Sequence, residues 1–317
     1  MTLVLLVAAA IALPGGPPVG MDYLAYDPGT NRIWVPAGNT AFVDVLDVAT
    51  GKVTPIGGFA TAPPRRPGRP RLGPSSATVG EGVVWIGDRA NNQLSAYDAR
   101  SLAARGTCQL STMPDGLAYV HAAHELWVTT PADKSITIVG VGAKSAAVRA
   151  TIRLDGEPEG YAVDEARGLF FTNLEDKDRT LAIDIKTHKV VSDWPAACGA
   201  AGPRGLAVDR THGWLFVACT NGAVNLDLAH GGRVLGRLET GGGVDNLDYD
   251  PGRQLLFVAS GAAGDMTIAR VDAGGVPHAA RVVPTARGAR NPVVDSRGRA
   301  YVEDSAAGRL LVIDPAP

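Results

Sequence analysis

The chain has 317 residues, of which 45% are hydrophobic, and its formal net charge at pH 7 is −2. A chain of this length can bury a large core. Its near-neutral charge argues against a general nucleic-acid binder or a membrane-surface protein, because both need a strong positive charge. Its 39 glycines, 22 prolines and few aromatic residues are typical of many short strands joined by tight turns.

The first predicted element is the apolar segment 3–13, LVLLVAAAIAL, which allows two interpretations. It can form a β-strand, or it can be the hydrophobic region of a secretory signal that ends at alanines 8–10. A basic region is missing, because only Thr2 stands between the first methionine and this segment. We expect a periplasmic or secreted protein, or a cytoplasmic one if residues 1–13 are retained. No other stretch is long and apolar enough to span a bilayer.

Short apolar segments with a central aromatic residue recur along the chain at intervals of 41 to 51 residues. Alternating aromatic and aliphatic residues of this kind are typical of buried strands. The segments are Ile33-Trp34-Val35, Val84-Trp85-Ile86, Leu126-Trp127-Val128, Leu169-Phe170-Phe171, Leu215-Phe216-Val217, Leu256-Phe257-Val258 and Ala300-Tyr301-Val302.

Further predicted strands flank each aromatic segment. Upstream of most lies a short strand that ends in Asp or an equivalent residue and then a polar turn, as in YLAYDPGTNR and NLDYDPGRQ. Downstream come a third strand that often ends in Asp, as in VDVLDVATGK, and a more polar fourth strand, as in VRATIRL. Four strands in each unit of roughly 40 residues, repeated seven times, predict an all-β, seven-bladed β-propeller that occupies residues 1–317 as a single domain.

These repeats resemble the YVTN-type bacterial β-propeller repeats. The segments PEGYAVD, PDGLAYV and PRGLAVD are also similar to NHL repeats and to the senescence-marker and gluconolactonase propellers. The resemblance covers nearly the whole chain and implies the fold, but it implies no single function, because propellers include binding proteins, hydrolases and lyases. Blade 2, with GPSSATVGEGVVW, lacks the acidic residues that the other blades carry at equivalent positions.

The last predicted blade has only three strands, since the chain reaches Pro317 directly after RLLVIDPAP. Three strands would leave an unpaired edge. Residues 1–13 directly precede blade 1 and can supply the missing strand. We therefore expect the N-terminal strand to close the ring by pairing with the last blade.

Three cysteines, Cys108, Cys198 and Cys219, are too few for a disulfide framework and lack the CxxC spacing of a metal site. Cys198 precedes the first strand of blade 5 and Cys219 ends its second strand, which places both at one end of an antiparallel pair. A disulfide between them is geometrically possible. Two buried thiols that act as small apolar groups are an equal alternative.

The candidate site is formed where the chain enters the first strand of each blade. These entries, and the loops between second and third strands, lie on one face of a propeller around the mouth of its central channel. Alignment of the blades places seven residues at the entries: Asp22, Ser75, Asp115, Glu159, Arg204, Asp245 and Arg290. The loops add Asn39, Asn173, Glu175, Asp176, Asn246 and Asn291. The sequence thus predicts a ring of four carboxylates and two guanidinium groups.

Two interpretations of this ring compete. The four carboxylates, Asp22, Asp115, Glu159 and Asp245, would repel one another and could recruit a divalent cation such as Ca²⁺ through their oxygens. Alternatively, the two arginines neutralise the carboxylates through charge-assisted hydrogen bonds, and the mouth holds water or a polar ligand without any cofactor.

All six histidines are predicted on the opposite face. His121, His124 and His212 fall between first and second strands, and His188, His230 and His278 fall between third and fourth strands. An imidazole general base is therefore not expected at the ring, which weakens a histidine-dependent lyase or hydrolase. The chain also lacks the motifs GxxxxGK[ST], GxSxG and HExxH.

An insertion at residues 60–74 links blades 1 and 2 and carries Arg65, Arg66, Arg69 and Arg71 among prolines. We expect it on the face of the ring, where it could attract an anionic ligand. The alternative is a solvated linker.

The sequence favours a monomeric binding protein that recognises a small polar ligand or a partner protein at the channel mouth, and neither nucleic acid nor a membrane. The residues predicted to bind the ligand are Asp22, Asp115, Glu159, Asn173, Arg204, Asp245, Asn246 and Arg290. The alternative is a metal-dependent hydrolase resembling the gluconolactonase propellers, in which the four ring carboxylates hold a cation that activates water or polarises a lactone carbonyl. Whether the protein is an enzyme stays open at this point.

Overall fold

Seven four-stranded antiparallel sheets form a ring in the computed structural model of the chain. The structure describes residues 7–65, 67–68, 70–142 and 145–315. Each sheet is one blade of a β-propeller, and in blades 1 to 6 the four strands follow one another along the chain from the channel outward. The predicted fold class is confirmed.

The strands are short, as the glycine- and proline-rich composition indicates. Blade 1 holds β2 (Ala25–Asp27), β3 (Arg32–Ala37), β4 (Phe42–Asp47) and β5 (Val53–Ile56), and blade 2 holds β6 (Pro74–Gly80), β7 (Val83–Asp88), β8 (Gln93–Asp98) and β9 (Ala104–Gln109). Blade 3 holds β10 (Leu117–Val120), β11 (Glu125–Thr130), β12 (Ser135–Val141) and β13 (Ala146–Arg153), and blade 4 holds β14 (Pro158–Asp164), β15 (Leu169–Leu174), β16 (Arg179–Asp184) and β17 (Lys189–Pro195). Blade 5 holds β18 (Pro203–Asp209), β19 (Trp214–Cys219), β20 (Gly222–Asp227) and β21 (Arg233–Glu239), and blade 6 holds β22 (Leu247–Asp250), β23 (Leu255–Ser260), β24 (Asp265–Val271) and β25 (Pro277–Pro284).

Blade 7 is completed by both ends of the described chain. It consists of β26 (Val293–Val294), β27 (Ala300–Asp304), β28 (Arg309–Ile313) and, outermost, β1 (Val7–Ala12). β1 runs antiparallel to β28, with Ala10 opposite Leu311 and Ala12 opposite Arg309. The predicted closure by the N-terminal strand is confirmed for residues 7–12, and residues 1–6 lie outside the described part of the chain.

The aromatic residues of the second strands form the cores between blades. The described residues form seven hydrophobic clusters, and each lies between two neighbouring blades. One aromatic ring per blade packs toward the next blade: Trp34, Trp85, Trp127, Phe171, Phe216, Phe257 and Tyr301. In blade 4 this position is held by Phe171, whereas the repeat pattern centred on Phe170. Burying a large side chain in each interface contributes about 1.5–3 kcal/mol.

The recurrent aspartates at strand ends stabilise the turns that follow. Asp27 accepts a hydrogen bond from the Gly29 amide at 2.9 Å, and Asp98 accepts one from the Ser101 amide at 2.7 Å. A carboxylate that satisfies turn amides in this way favours a tight turn over a longer strand. Among the described residues, no helix is long and apolar enough to cross a membrane.

Cys198 and Cys219 form a disulfide with a Cα–Cα distance of 5.3 Å, while the buried Cys108 is free. The bridge ties the entry of blade 5 to the end of β19. Of the two alternatives, the structure therefore has the disulfide, and disulfides are typical of proteins in an oxidising compartment.

The insertion at 60–74 lies on the same face as the entries into the first strands. Ala62 pairs with Leu72 in a short antiparallel bridge, and the Arg71 guanidinium donates to the Thr61 hydroxyl at 3.1 Å. The Pro70 ring packs close to Gly20, two residues before Asp22. Arg65 and Arg71 are exposed, whereas Arg66 and Arg69 lie outside the described residues, so attraction of an anion by this loop stays a prediction.

Candidate functional site

Neighbouring first strands approach one another closely at the channel mouth. The Gly205 amide donates to the Asp245 carbonyl at 2.8 Å, and the Asn246 amide donates to the Arg290 carbonyl at 3.0 Å. A Cβ atom on Gly205 would lie 1.9 Å from the Asn246 side-chain oxygen, so only glycine fits there. This packing holds the side chains at the entries close together around the channel axis.

The four predicted carboxylates all lie near Tyr23 at the mouth, close enough for their charges to act on its hydroxyl. Burial raises the pKa of the Tyr23 phenol well above its usual value, and the charges of Glu159, Asp115, Asp22 and Asp245 raise it further. Four different blades supply these carboxylates, so the alignment of the blades placed them correctly. The predicted serine, Ser75, is buried among them, and its hydroxyl reaches only the Gly87 carbonyl at 3.5 Å.

Arg89 bridges two of these carboxylates and was not among the predicted residues. Its guanidinium lies 2.8 Å from Asp22 and also pairs with Asp115. It stands in the loop between β7 and β8 of blade 2, the blade that offers only Ser75 at its entry. Its sequence context, GDRANN, contained the signal, because loops between second and third strands lie on this face. Burial acts to lower the pKa of Arg89, but Asp115 and Asp22 raise it above its ordinary value.

The two predicted arginines pair with different partners. Arg290 Nε lies 3.2 Å from Asp245, as expected for a ring that neutralises itself. Arg204 pairs instead with Glu175, from the loop between β15 and β16 on the same face. Both guanidinium side chains remain about one third exposed, at 30% for Arg204 and 35% for Arg290, so the mouth is open to solvent.

Glu159 has no arginine partner among the described residues. Its carboxyl accepts a hydrogen bond from the Tyr23 hydroxyl at 3.2 Å. Burial raises the pKa of Glu159 well above its usual range, the carboxylates of Asp115, Asp245 and Asp22 raise it further, and only Arg204 opposes them. Burial and the neighbouring charges therefore favour the protonated form of the Glu159 carboxyl, and an approaching cation would favour its ionised form.

Glu303 is, after Arg89, the second residue of the mouth that sequence reasoning missed. It is 1% exposed and accepts hydrogen bonds from the amides of Arg290 and Asn291, both at 3.0 Å. Burial raises the pKa of Glu303 to about 8, against the lowering effect of these amides. Glu303 is the penultimate residue of β27, the position that Asn173 holds in β15, so the repeat alignment could have found it.

Most of the predicted asparagines support the backbone of the mouth. Asn173 donates to the Arg204 carbonyl and accepts from the Thr180 hydroxyl, and Asn246 accepts from the Leu247 amide at 2.9 Å. Asn291 donates weakly to Asp22 at 3.4 Å. Of the loop residues, Asn39 binds the backbone at Gly20 and Pro18, and Asp176 accepts from the Glu157 amide. Asn39 and Asp176 therefore stabilise loops through the backbone, and these contacts indicate no catalytic or ligand-binding role.

We define the channel-mouth cluster by its nine charged or acidic members: Asp22, Arg89, Asp115, Glu159, Glu175, Arg204, Asp245, Arg290 and Glu303. Burial raises the pKa of Asp115 to about 6 in spite of Arg89, and burial raises the pKa of Asp245 in spite of Arg290. One oxygen of Asp115, Oδ2, is buried without a hydrogen-bond partner. The cluster can therefore bind or release protons near neutral pH.

The predicted metal ligands share the channel mouth with arginine side chains. Within the described ranges, no group of three or more His, Cys, Asp or Glu side chains is spaced to hold a metal ion. The guanidinium of Arg89 lies between Asp22 and Asp115, two of the four predicted ligands, and would repel a cation there. The metal hypothesis stays a prediction that this arrangement does not favour.

The histidines lie where the sequence predicted them, away from the cluster. Five of the six pair with carboxylates at turns of the opposite face: His124 with Glu81, His188 with Glu125, His212 with Asp209, His230 with Asp227 and His278 with Asp272. The sixth, His121, packs edge-on against the Tyr119 ring at 4.9 Å. These pairs fasten turns, so the channel-mouth cluster has no imidazole.

Comparison with solved structures shows the fold. A chain of the mitotic checkpoint complex is 13% identical, with 98% of this chain and 92% of that chain covered at a TM-score of 0.81. Hydrazine synthase from Kuenenia stuttgartiensis is 14% identical, with 98% of both chains covered and a TM-score of 0.80. A catalytically inactive histidine-to-alanine variant of virginiamycin B lyase from Staphylococcus aureus, solved with quinupristin, is 11% identical, with 96% and 98% covered and a TM-score of 0.73.

The chain is a seven-bladed β-propeller. No family model and no curated protein sequence matches it, so the resemblance to YVTN-type and NHL repeats stays a prediction. At identities of 11 to 14%, the three neighbours share the scaffold and carry no information about the site.

Proposed function

We propose that the protein is a binding propeller whose channel-mouth cluster receives a positively charged group, an ammonium or a guanidinium, from a small polar ligand or a partner protein. The observation that supports this most is the charge count of the cluster. Six carboxyl groups face three guanidinium groups, and Glu159 has no cationic partner among the described residues. A ligand cation would supply the missing charge.

The surroundings of Glu159 suit an ammonium group. The Tyr23 hydroxyl donates to its carboxyl at 3.2 Å, and the ring of Tyr161 stands 5.8 Å from that of Tyr23. Aromatic rings attract cations through their π faces. Carboxylates accept charge-assisted hydrogen bonds from ammonium and guanidinium groups, which are about twice as strong as neutral ones.

Binding of a cation should release protons. Burial and neighbouring carboxylates raise the pKa of Glu159, and an arriving cation opposes that effect by favouring the ionised form. Affinity for the cation should therefore rise with pH, because Glu159 and Asp115 lose their protons as pH increases. The pKa of Asp115 lies at about 6. This linkage separates the cation proposal from binding of a neutral polar ligand.

No observation favours an enzyme over a binding protein. The virginiamycin B lyase variant is inactive after loss of a histidine, whereas the described channel-mouth cluster of this chain contains none. The metal-dependent hydrolase needs the four carboxylates on one cation, and Arg89 separates two of them. A lysine or arginine side chain of a partner protein would supply such a cation as well as a small ligand does.

Calorimetric titration with agmatine, putrescine and L-argininamide tests the proposal. We expect at least one of these probes to bind, with an affinity that rises between pH 5.5 and pH 8 and with proton release in buffers of different ionisation enthalpy. Glu159→Gln should weaken binding about tenfold or more, since a charge-assisted hydrogen bond contributes about 1.5–3 kcal/mol. Glu239→Gln, an exposed glutamate on the outer strand of blade 5, is the matched control and should leave the affinity unchanged.

Two results would contradict the proposal. One is the failure of all three cations to bind at millimolar concentration. The other is equal binding by the wild type and Glu159→Gln, because the charge of Glu159 would then play no part.

A further inference from the structure

A large cleft lies between blades 6 and 7 on the face opposite the channel-mouth cluster. Its volume is about 770 Å³, and its walls come from residues 251–255, from the turn between β26 and β27, and from the residues after β28. Arg253, Arg270 and Arg297 line it, together with Gln254 and Asp314. Three guanidinium groups thus share one concave surface of a size that suits a small molecule.

The three arginines of the cleft are not equally engaged. Arg253 pairs with Asp250 at 2.9 Å, which neutralises its charge. In the described part of the chain, the guanidinium groups of Arg270 and Arg297 make neither an ion pair nor a hydrogen bond, and both residues are exposed. The guanidinium groups of Arg270 and Arg297 are therefore available to bind a ligand.

Carboxylates near the cleft do not cancel this charge. Asp295 accepts from Arg299 at 3.0 Å and Asp250 is held by Arg253, so both are occupied by their own arginines. Asp314 is the one carboxylate among the lining residues, which include the two unpaired arginines Arg270 and Arg297. Among the described residues, the cleft therefore has more positive than negative groups, although the whole chain carries −2.

A second cleft in the described structure does not have the excess of arginines found between blades 6 and 7. It has a volume of about 580 Å³ between blades 3 and 4, and its lining includes Glu125, Asp184, Lys186 and His188. In that cleft Glu125 is 6% exposed. Its carboxylate accepts a hydrogen bond from the Trp127 indole at 3.1 Å and lies 3.3 Å from the His188 ring. Acidic and basic groups balance in that cleft, so it does not select an anion.

From these contacts we infer that the cleft between blades 6 and 7 is a binding site for an oxyanion group of a small molecule, a phosphate ester or a carboxylate. The guanidinium fork matches both groups because it presents two parallel N–H donors to two oxygens. The Gln254 side-chain amide adds a neutral donor at the wall. A dianion such as phosphate engages both free arginines, so phosphate should bind more tightly than a monocarboxylate.

This site is independent of the proposed cation site. The cleft lies at the turns between first and second strands, whereas the channel-mouth cluster lies at the entries into the first strands, on the other face. A substitution in one should leave binding at the other unchanged. The two proposals therefore fail separately.

Calorimetric titration of the full chain with inorganic phosphate, pyrophosphate, acetate and citrate at constant ionic strength tests the inference. We expect phosphate or pyrophosphate to bind more tightly than acetate if the natural group is a phosphate ester, and citrate to bind more tightly than phosphate if it is a polycarboxylate. Arg270→Ser and Arg297→Ser should each weaken binding about fivefold to tenfold, and added salt should weaken it in the wild type. Neither guanidinium has a partner in the described structure, so these variants should melt at the wild-type temperature.

Two further variants make the test sharper. Arg100→Ser removes an exposed arginine from a turn of blade 2 on the same face and should change the affinity less than twofold. Asp314→Asn removes the one lining carboxylate and should tighten binding about twofold to fivefold, since a repulsive charge is lost. Equal effects of Arg100→Ser and Arg270→Ser, no tightening with Asp314→Asn, or no binding of any of the four anions would overturn the inference.

Discussion

At the scale of single residues, Arg89 decides the charge balance between blades 1, 2 and 3. It reaches Asp22 and Asp115, which stand on the blades at either side of its own, and its side chain is 20% exposed. Blade 2 offers only the small Ser75 at its entry, and the arginine of its next loop serves the two neighbouring carboxylates. The departure of blade 2 from the repeat is thus compensated within the same blade.

Replacing this arginine by a side chain of similar size and no charge should be costly. We expect Arg89→Met to lower the free energy of unfolding by about 1–3 kcal/mol at pH 8, because two partly buried carboxylates lose their partner. The loss should shrink at pH 5, where Asp115, with a pKa of about 6, is protonated. Urea unfolding at both pH values measures it. Arg105→Met, which removes a 55% exposed partner of Asp98, is the control and should cost less than about 1 kcal/mol; equal effects would argue against a special role for Arg89.

At the scale of elements, β1 carries the closure of the ring. It covers the edge of β28, and Leu13 directly after it is 6% exposed in the cluster between blades 7 and 1. Without β1, blade 7 would have a three-stranded sheet with unpaired backbone groups at its edge. Pairing between β1 and β28 therefore joins the first described strand to the last one and closes the ring.

Deleting residues 1–12 should lower stability by several kcal/mol, since ladder hydrogen bonds and apolar burial are lost together. Thermal melting compares the truncated and full chains. A synthetic peptide of residues 7–13 should restore part of the melting temperature by adding a strand to the open edge, whereas a peptide of shuffled order should not. An unchanged melting temperature in the truncated chain would mean that β1 contributes no stability.

At the scale of the whole molecule, two sets of carboxyl groups oppose each other in pH-dependent stability. Turn hydrogen bonds lower the pKa of the partly buried Asp47 and Asp184, so these groups stabilise the fold above about pH 4. Burial raises the pKa of Asp44 to about 7 and that of Glu303 to about 8. A buried carboxyl with a raised pKa favours the folded state while protonated, and its contribution is lost as pH rises from about 4 through the folded value.

The protein should therefore be most stable at mildly acidic pH and should lose stability between about pH 5 and pH 8, below the folded pKa of Glu303. Glu303→Gln keeps an oxygen acceptor for the amides of Arg290 and Asn291 but cannot ionise. We expect this variant to lose less stability than the wild type over that range, by about 1 kcal/mol or more. Urea unfolding at several pH values measures the difference, with Glu239→Gln as the exposed control. Parallel curves for the wild type and Glu303→Gln would show that Glu303 is already ionised at pH 6.

The sequence by itself determined the architecture and the faces of the molecule. Strand period, turn aspartates and the spacing of aromatic residues are local signals repeated seven times, so errors in single blades, such as Phe170 for Phe171, did not change the fold. The same repetition placed Asp22, Asp115, Glu159 and Asp245 at one mouth and the histidines at the other face. Closure by residues 7–12 also followed, because an unpaired edge requires a strand.

Only the tertiary structure decided which side chains meet. Arg89 pairs with carboxylates of two other blades. Arg204 pairs with Glu175 and not with one of the four ring carboxylates. Glu303 accepts hydrogen bonds from the amides of Arg290 and Asn291. These contacts depend on the distance between separate sheets and on side-chain directions, which no local period encodes. The disulfide and the arginine cleft between blades 6 and 7 also depend on side chains that only the folded structure brings together. Burial then decides the protonation of each carboxyl, because the cost of a charge depends on the whole fold around it.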